Sequence, residues 1–345
     1  MKDFTAVIVA IISFAVTSLL GFIVIPYLRK LKFGQTILEE GPKWHKDKQG
    51  TPTMGGVMMV AGVLVAMVLG FTFSFFTNGG YALEMKDPKK LAILLAGIVM
   101  SLGMCAIGFF DDYIKVVKKQ NLGLTAKQKT FLQLLVAAAY LATLAINGMS
   151  ETYIPFIGEV SIVKGFGLLF WPIALMFIYG FTNAVNLTDG LDGLASSVTL
   201  VVACAFMLAS ASLSSDTRSF DAINSLSAAL AGSCAGFVVW NAKPAKVFMG
   251  DTGSMFLGGM VVALSFGIER PILLLVMGCV YFIEAISVML QVAYFKLTKK
   301  RLFKMAPLHH HFEMSGFSEQ NVVLLFSFIA LIGCVIALLT VIFNI

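Results

Sequence analysis

Three short polar stretches of this otherwise apolar chain carry residue types that can hold a metal ion and phosphate groups. Asp111 and Asp112 are adjacent, and Asp251 lies in a Gly-Asp-Thr-Gly segment at 250–253. The third stretch places four polar residues three apart, namely Asn183, Asn186, Asp189 and Asp192. Carboxylates without neighbouring cysteines favour a hard cation, Mg²⁺ or Mn²⁺, held jointly with substrate phosphates. The pattern therefore indicates metal-assisted phosphoryl transfer.

Lysines near the first acidic pair supply the positive charge that a phosphate ligand needs. Lys115 and Lys119 are four residues apart, so on a helix they share one face and can follow Asp111 or Asp112 around it. The two aspartates themselves point about 100° apart on a helix, so one can face a ligand while the other faces a cation. A solvated helix end would show the same pattern, and this stretch alone leaves both interpretations open.

The asparagine-rich stretch contains Gly190 and Gly193, which predict a helix that ends and restarts. Irregular backbone at membrane depth is tolerated where it lines a cavity, so we expect the four polar side chains to converge there. The alternative is an ordinary polar turn. For Asp251 the alternative is a helix N-cap, although the neighbouring Phe248 offers a face for stacking.

Three consecutive histidines and one acidic residue complete the set. His309, His310 and His311 follow Pro307, and we expect them in a loop, where imidazoles suit phosphate or sugar oxygens better than zinc. Glu284 stands about halfway along an apolar segment. An acid at that depth predicts either a functional group or a hydrogen bond between helices.

The elements that must position these residues are membrane helices. Mean hydropathy is +0.89, with 58% hydrophobic and 13% charged residues, outside the range of soluble domains. About 20 apolar residues span a bilayer, so the sequence predicts an all-α integral membrane protein of about ten transmembrane helices. The predicted segments are 4–27, 54–76, 91–110, 131–147, 166–185, 194–213, 222–241, 253–268, 272–295 and 322–344.

The distribution of lysine and arginine predicts the orientation. The loops after segments 1, 3, 5, 7 and 9 hold 18 of the 25 such residues. By the positive-inside rule both termini are outside, and the polar stretches form an active site at the cytoplasmic face. The +6 net charge thus anchors the helices, and nothing indicates nucleic-acid binding. We expect one domain over 1–345, an outer hairpin near 152–163 and an inner interfacial helix near 296–304.

Taken together and in order, these motifs resemble the phospho-N-acetylmuramoyl-pentapeptide transferases, within the polyprenyl-phosphate N-acetylhexosamine-1-phosphate transferase superfamily. The Gly-Thr-Pro-Thr-Met-Gly-Gly segment at 50–56 adds to the likeness. The resemblance implies transfer of phospho-MurNAc-pentapeptide from UDP-MurNAc-pentapeptide to undecaprenyl phosphate, giving lipid I and UMP in peptidoglycan biosynthesis. It also implies a magnesium requirement, a homodimer in the bacterial cytoplasmic membrane, and inhibition by nucleoside antibiotics.

The resemblance further implies roles for particular residues. Asp251 would bind magnesium, with Asp111 and Asp112 essential nearby. The uridine pocket would be formed by Asn183, Asn186, Asp189, Asp192 and Phe248. Contacts to the phosphates and sugar would come from Lys115, Lys119, Lys127, Asn241, Gln291, His309, His310 and His311. Further substrate contacts would come from Lys46, Lys48, Thr51 and Thr53.

Two mechanisms and two other functions stay open from sequence. The lipid phosphate can attack directly, oriented or deprotonated by Asp112, or an aspartate can attack first and form a phospho-enzyme. Direct attack is favoured because a phosphate with a second pKa near 6 is mostly dianionic at pH 7. A sister transferase of GlcNAc-1-phosphate would share the aspartates but not the histidine motif. A transporter would place ionisable groups at the bilayer midplane, where only Glu284 qualifies.

Overall fold

The computed structural model describes residues 4–31, 48, 50–117, 122–214 and 219–343, except the side chains of 117 and 166. Within these ranges the chain is mostly helical. The helices, in chain order, are α1 Thr5–Lys30, α2 Gly56–Thr77, α3 Gly80–Glu84, α4 Pro88–Val117, α5 Ala126–Ile146, α6 Phe170–Thr188, α7 Leu194–Leu213, α8 Asp221–Asn241, α9 Gly250–Gly267, α10 Leu273–Met277, α11 Cys279–Thr298, α12 Leu308–Glu313 and α13 Glu319–Ile342. The prediction of an all-α membrane protein is confirmed.

Nine helices in the described part of the chain are long and apolar enough to cross a membrane: α1, α2, α4, α5, α6, α7, α8, α11 and α13. The predicted segment 253–268 corresponds to α9, which is not among these nine and whose residues from Thr252 to Gly267 are all buried in protein. This helix packs on α4 and α6 and also contacts α2, α7 and α8. It is the centre of the bundle, and its first turn carries Asp251.

Local sequence explains where several helices begin and end. At α5, Thr125 and Gln128 form a capping box, in which each side chain bonds the backbone of the other residue. Between α6 and α7 the chain leaves the helix after Thr188, and Gly193 has a φ of +82°, which favours glycine. The predicted break in the asparagine-rich stretch is therefore confirmed.

The predicted hairpin is present as two antiparallel strands, β1 Glu151–Ile154 and β2 Gly158–Ser161. The predicted segment 272–295 is divided by Gly278 into α10 and α11. The helix α4 runs to Val117, so Asp111 and Asp112 lie within its last turns and not at its end.

The prediction of an interfacial helix over 296–304 is wrong beyond Thr298. Lys299 takes a left-handed conformation with φ of 58°, and 299–307 is irregular. The chain folds back here because the Gln291 side chain accepts hydrogen bonds from the backbone N–H groups of Leu302 and Phe303. The histidines, expected in a loop, instead form the short helix α12, which begins immediately after Pro307.

Candidate active site

Three carboxylates from two helices meet at one end of the bundle. Each of Asp111, Asp112 and Asp251 offers an oxygen atom within 4.8 Å of the other two. Asp111 and Asp112 are buried, with 3% and 4% of their surface exposed, and Asp251 is half-buried. Charged oxygens this close repel one another unless a cation lies among them, so the cluster suits a metal ion. The structure thus brings together the aspartates of two of the predicted stretches.

Asp112 holds the first turn of α9 in place. Its Oδ2 accepts hydrogen bonds from the Thr252 backbone N–H at 2.9 Å and the Thr252 hydroxyl at 2.7 Å. Its Oδ1 accepts one from the Asp251 N–H at 3.2 Å. A carboxylate satisfies the otherwise unpaired N–H groups of a helix N-terminus and also interacts favourably with the helix dipole. Both oxygens of Asp112 are therefore engaged in positioning Asp251.

The close approach of α4 to α9 depends on Gly108. A Cβ atom at this position would lie 2.1 Å from the Asp251 carbonyl oxygen, which is backbone and cannot swing away. Asp111 and Asp112 follow Gly108 by three and four residues, so they lie one turn along the same face of α4. The glycine thus permits the contact that brings the aspartates together.

Two lysines surround Asp251. Lys115 lies 3.2 Å from Asp251 Oδ2 and also pairs with Asp111, four residues earlier on α4. Lys129, on the first turns of α5, lies 2.8 Å from the same Asp251 oxygen. Lys127 is exposed, and Lys119 and Lys46 lie outside the described residues. Lysine ammonium groups at this position can also bind the oxygens of a phosphate ligand.

The four residues of the asparagine-rich stretch have different partners, so they do not converge as expected. The Asn186 amide donates to Asp251 Oδ1 and to Ser254 Oγ, both at 3.0 Å. Asn183 instead exchanges two hydrogen bonds with the buried Gln133 of α5. The side chain of Asn183 therefore ties α6 to α5, whereas Asn186 belongs to the acidic cluster.

Asp192 is part of a buried ion-pair network at the α6–α7 break. Its Oδ1 lies 2.7 Å from Lys48 Nζ, and its Oδ2 accepts the Ala245 backbone N–H at 3.0 Å. Glu319, at the start of α13, pairs with Lys48 and with Lys243 and accepts the Asp192 N–H at 2.7 Å. The network fastens the break to α13 and to the loop before α9.

Asp189 is the remaining carboxyl group near the cluster. Burial, followed by the negative charges of Asp251, Asp112 and Asp192, raises the pKa of Asp189 to about 8. Its carboxyl group is therefore mainly protonated at neutral pH in the protein without a bound cation. In this state it can donate a hydrogen bond, which an ionised carboxylate cannot do.

Other predicted contact residues shape the backbone around the cluster. Asn241 accepts the Gly193 N–H at 3.0 Å and donates to the Val247 carbonyl at 2.9 Å, which makes it a buried brace. Phe248 is half-buried, and its N–H bonds the Pro52 carbonyl. In the same 50–56 segment Thr53 is buried and Thr51 is half-buried.

The histidines lie on α12 and face different partners. His309 is buried against Glu284 of α11, with 3.2 Å between Nδ1 and a carboxylate oxygen. His310 Nδ1 lies 2.9 Å from Glu313 Oε2, and His311 Nδ1 accepts the Lys304 N–H. Of the two predictions for Glu284, a functional group or a hydrogen bond between helices, the hydrogen bond is present in the structure.

Sequence reasoning missed Lys129, Gln133 and Glu319. Lys129 and Gln133 are four residues apart on the face of α5 that meets α4 and α6, a spacing that could have drawn attention to them. Glu319 follows the helix-capping Ser318, so its sequence context indicates only a helix start. Its contacts with residues 48, 192 and 243 depend on packing alone.

Known proteins match this chain in sequence, including the region that carries the acidic cluster. The sequence pattern of glycosyl transferase family 4 matches residues 94–269, which include all three clustered aspartates. A phospho-N-acetylmuramoyl-pentapeptide-transferase of Acetivibrio thermocellus is 45% identical over 331 residues, covering 96% of this chain and 93% of the relative. Proteins with the same name from Heliobacterium modesticaldum and Clostridioides difficile are 46% and 43% identical, with 95% and 96% of each chain covered.

The relatives match this chain over nearly its whole length and over nearly the whole of their own. The region that the family pattern matches contains the acidic cluster and the α6–α7 break. The chain therefore belongs to the phospho-N-acetylmuramoyl-pentapeptide-transferase family, within glycosyl transferase family 4.

Proposed function

We propose that this protein transfers phospho-MurNAc-pentapeptide from UDP-MurNAc-pentapeptide to undecaprenyl phosphate, giving lipid I and UMP. The observation that carries the proposal is the cluster of three aspartates and two lysines at one end of a bundle of apolar helices. Carboxylates and ammonium groups together suit a metal–diphosphate ligand, and the bundle gives a lipid substrate access from the membrane. The names of the relatives indicate the sugar–peptide donor.

The donor set fits magnesium, with manganese as a substitute. The three carboxylates are hard oxygen ligands within 4.8 Å of one another, and Asp251 is the one to which both lysines and Asn186 turn. We therefore assign Asp251 as the principal ligand, with Asp111 and Asp112 beside it. Magnesium would neutralise charge on the two phosphates of the nucleotide.

In the reaction that we propose, an oxygen of undecaprenyl phosphate attacks the phosphorus that carries the sugar. That P–O bond forms while the bond to the oxygen bridging the two nucleotide phosphates breaks, and UMP leaves with that oxygen and its electron pair. Lys115 and Lys129 bind the phosphate oxygens once these displace them from Asp251. Asp112 positions α9, because its oxygens accept three hydrogen bonds from the first turn of that helix.

Direct attack also agrees with the chemistry of the acceptor, which is mostly dianionic at pH 7 and scarcely needs a base. The alternative is a covalent phospho-aspartate intermediate. Acid quenching of the enzyme during turnover with donor labelled in the sugar phosphate distinguishes the two. Label that remains on the denatured protein would overturn direct attack.

Further parts of the proposal concern binding and topology. The uridine pocket would lie at the α6–α7 break, with Phe248 as the stacking face and Asp189 and Asn186 as polar contacts. The cluster would face the cytoplasm, both termini would be outside, and the enzyme would work as a homodimer. Nucleoside antibiotics would bind the same pocket and compete with the donor.

UMP release by purified protein with undecaprenyl phosphate tests the function. We expect release from UDP-MurNAc-pentapeptide only with Mg²⁺, and Asp251→Asn should abolish it. Gly180→Ala is a matched control, because a Cβ there meets nothing within 4 Å. Release from UDP-GlcNAc alone would make the protein a sister transferase. Release from neither donor would contradict the proposal and favour a transporter.

A further inference from the structure

Glu284 of α11 is buried, with 0% of its surface exposed, and it has an identifiable partner. Its Oε1 accepts the His309 backbone N–H at 3.1 Å, and its Oε2 lies 3.2 Å from His309 Nδ1. A buried carboxylate requires such partners, since leaving it unpaired is costly. Both oxygens are thus committed to one residue at the start of α12.

The opposite edge of the His309 ring faces the α6–α7 break. His309 is 1% exposed, and its Nε2 has no hydrogen-bond partner among the described residues. An ideal Cβ built on Gly190 would lie 2.2 Å from that Nε2 and 2.7 Å from Cε1. The imidazole therefore lies directly against the backbone of Gly190, a residue that stands between Asp189 and Asp192 in the sequence.

Glu284 also determines how this ring is held. Because Nδ1 faces a carboxylate, the proton of a neutral imidazole resides on Nδ1, and Nε2 carries the lone pair. The ring cannot turn over without losing that hydrogen bond. Three elements, α11, α12 and the break between α6 and α7, are thereby linked through Glu284, His309 and Gly190, which we call the latch.

We propose that Glu284 is a positioning residue that acts through His309 to set the α6–α7 break, and thereby the affinity for the nucleotide donor. This inference rests on the proposed function, because it assigns the break to the donor. The break begins within three residues of Asn186, which contacts Asp251, and it contains Asp189 and Asp192. A displaced His309 would release the backbone that carries these side chains. The contacts of Asp251 with Lys115 and Lys129 would stay in place.

Kinetics with Glu284→Leu, which removes both hydrogen-bond acceptors, tests this assignment. We expect the KM for UDP-MurNAc-pentapeptide to rise on the order of tenfold to a hundredfold, as for loss of a charge-assisted hydrogen bond. The KM for undecaprenyl phosphate should stay unchanged. Ser287→Ala, one turn along α11, is the matched control, because its hydroxyl bonds only its own helix at the Glu284 carbonyl among the described contacts.

The conservative variant separates positioning from general damage. In Glu284→Gln the amide oxygen can still accept the His309 N–H, and the amide NH₂ can donate to Nδ1 once the ring proton moves to Nε2. We therefore expect its donor KM to stay near that of the unsubstituted enzyme. If Glu284→Leu does not fold, the Gly190→Ala variant carries the test, because its methyl group meets the same ring. A donor KM as high in Glu284→Gln as in Glu284→Leu would contradict positioning.

Gly190→Ala tests the other end of the latch, because its methyl group would push the ring away. It should raise the donor KM as Glu284→Leu does. In a His309→Ala background the same methyl group should have little further effect, since the ring that it meets is gone. Gly180→Ala on the preceding helix is the control. Equal effects of Gly190→Ala in both backgrounds would overturn the contact.

Hydrogen exchange of the protein without substrate provides a readout that does not depend on the reaction. Glu284→Leu should speed amide exchange in 307–313 and in 189–194, and Ser287→Ala should not. If the unsubstituted enzyme released no UMP, the proposed function would fail while the exchange comparison still tested the latch. If the enzyme is active but Glu284→Leu changes neither exchange in 189–194 nor the donor KM, the latch is refuted.

Discussion

Replacing Lys129 by methionine should weaken catalysis and at the same time tighten magnesium binding. In the structure its ammonium group lies 2.8 Å from Asp251 Oδ2, the oxygen that also faces Lys115. A metal ion that binds this oxygen would compete with the Lys129 ammonium group. Methionine keeps the length of the side chain but removes the charge, so only one of the two ammonium groups, that of Lys115, still competes for this oxygen.

The magnitude follows from the strength of the contact. A charge-assisted hydrogen bond contributes about 1.5–3 kcal/mol, and each 1.4 kcal/mol is about tenfold in an equilibrium constant. The Lys129 side chain is 19% exposed, so solvent screening places the effect towards the lower end. We expect the Mg²⁺ concentration for half-maximal activity to fall about tenfold. The kcat/KM for the donor should fall about tenfold to a hundredfold, since the phosphates lose a ligand.

The assay is UMP release at fixed substrate concentrations across a magnesium titration. Lys86→Met is the matched control, because Lys86 is an exposed lysine between α3 and α4 and is not one of the site residues. Lys129→Arg should keep part of the donor activity, since it retains the charge. A Lys129→Met enzyme whose magnesium requirement is unchanged or higher would refute the competition between lysine and metal.

Two further variants test the packing and the electrostatics of the site. Gly108→Ala should lower the free energy of unfolding by about 1–3 kcal/mol and abolish most activity, because its methyl group meets the backbone of Asp251 at 2.1 Å. Thermal unfolding measures this loss of stability, with Gly180→Ala as the control. Normal stability of Gly108→Ala would contradict the close approach of α4 to α9. A raised folded-state pKa means that Asp189 holds its proton in the folded protein while the unfolded chain releases it above about pH 4. In EDTA, stability should therefore fall as pH rises from about 4 towards about 8, and this component should be missing in Asp189→Asn. Parallel unfolding-temperature profiles of the two proteins between pH 5 and pH 8.5 would exclude the raised pKa.

The sequence by itself determined the features that depend on local composition. Apolar runs specified the membrane helices, because hydrocarbon accepts only segments whose backbone is internally hydrogen-bonded. Gly190 and Gly193 specified the break, and alternation around Gly158 specified the hairpin. The acidic stretches identified the aspartates of the cluster because charge at a membrane is costly.

The tertiary structure alone decided which partners each of those residues contacts. Asp112 of α4 accepts hydrogen bonds from the first turn of α9, up to 140 residues away in sequence, and Lys129 pairs with Asp251 across 122 residues. The chain folds back after Lys299 because Gln291 caps it, so a run that suits an interfacial helix becomes irregular. Such outcomes depend on how the packed helices are rotated relative to one another and on which side chain comes close enough to bond a given backbone group. Hydropathy and residue spacing along the chain do not determine either of these.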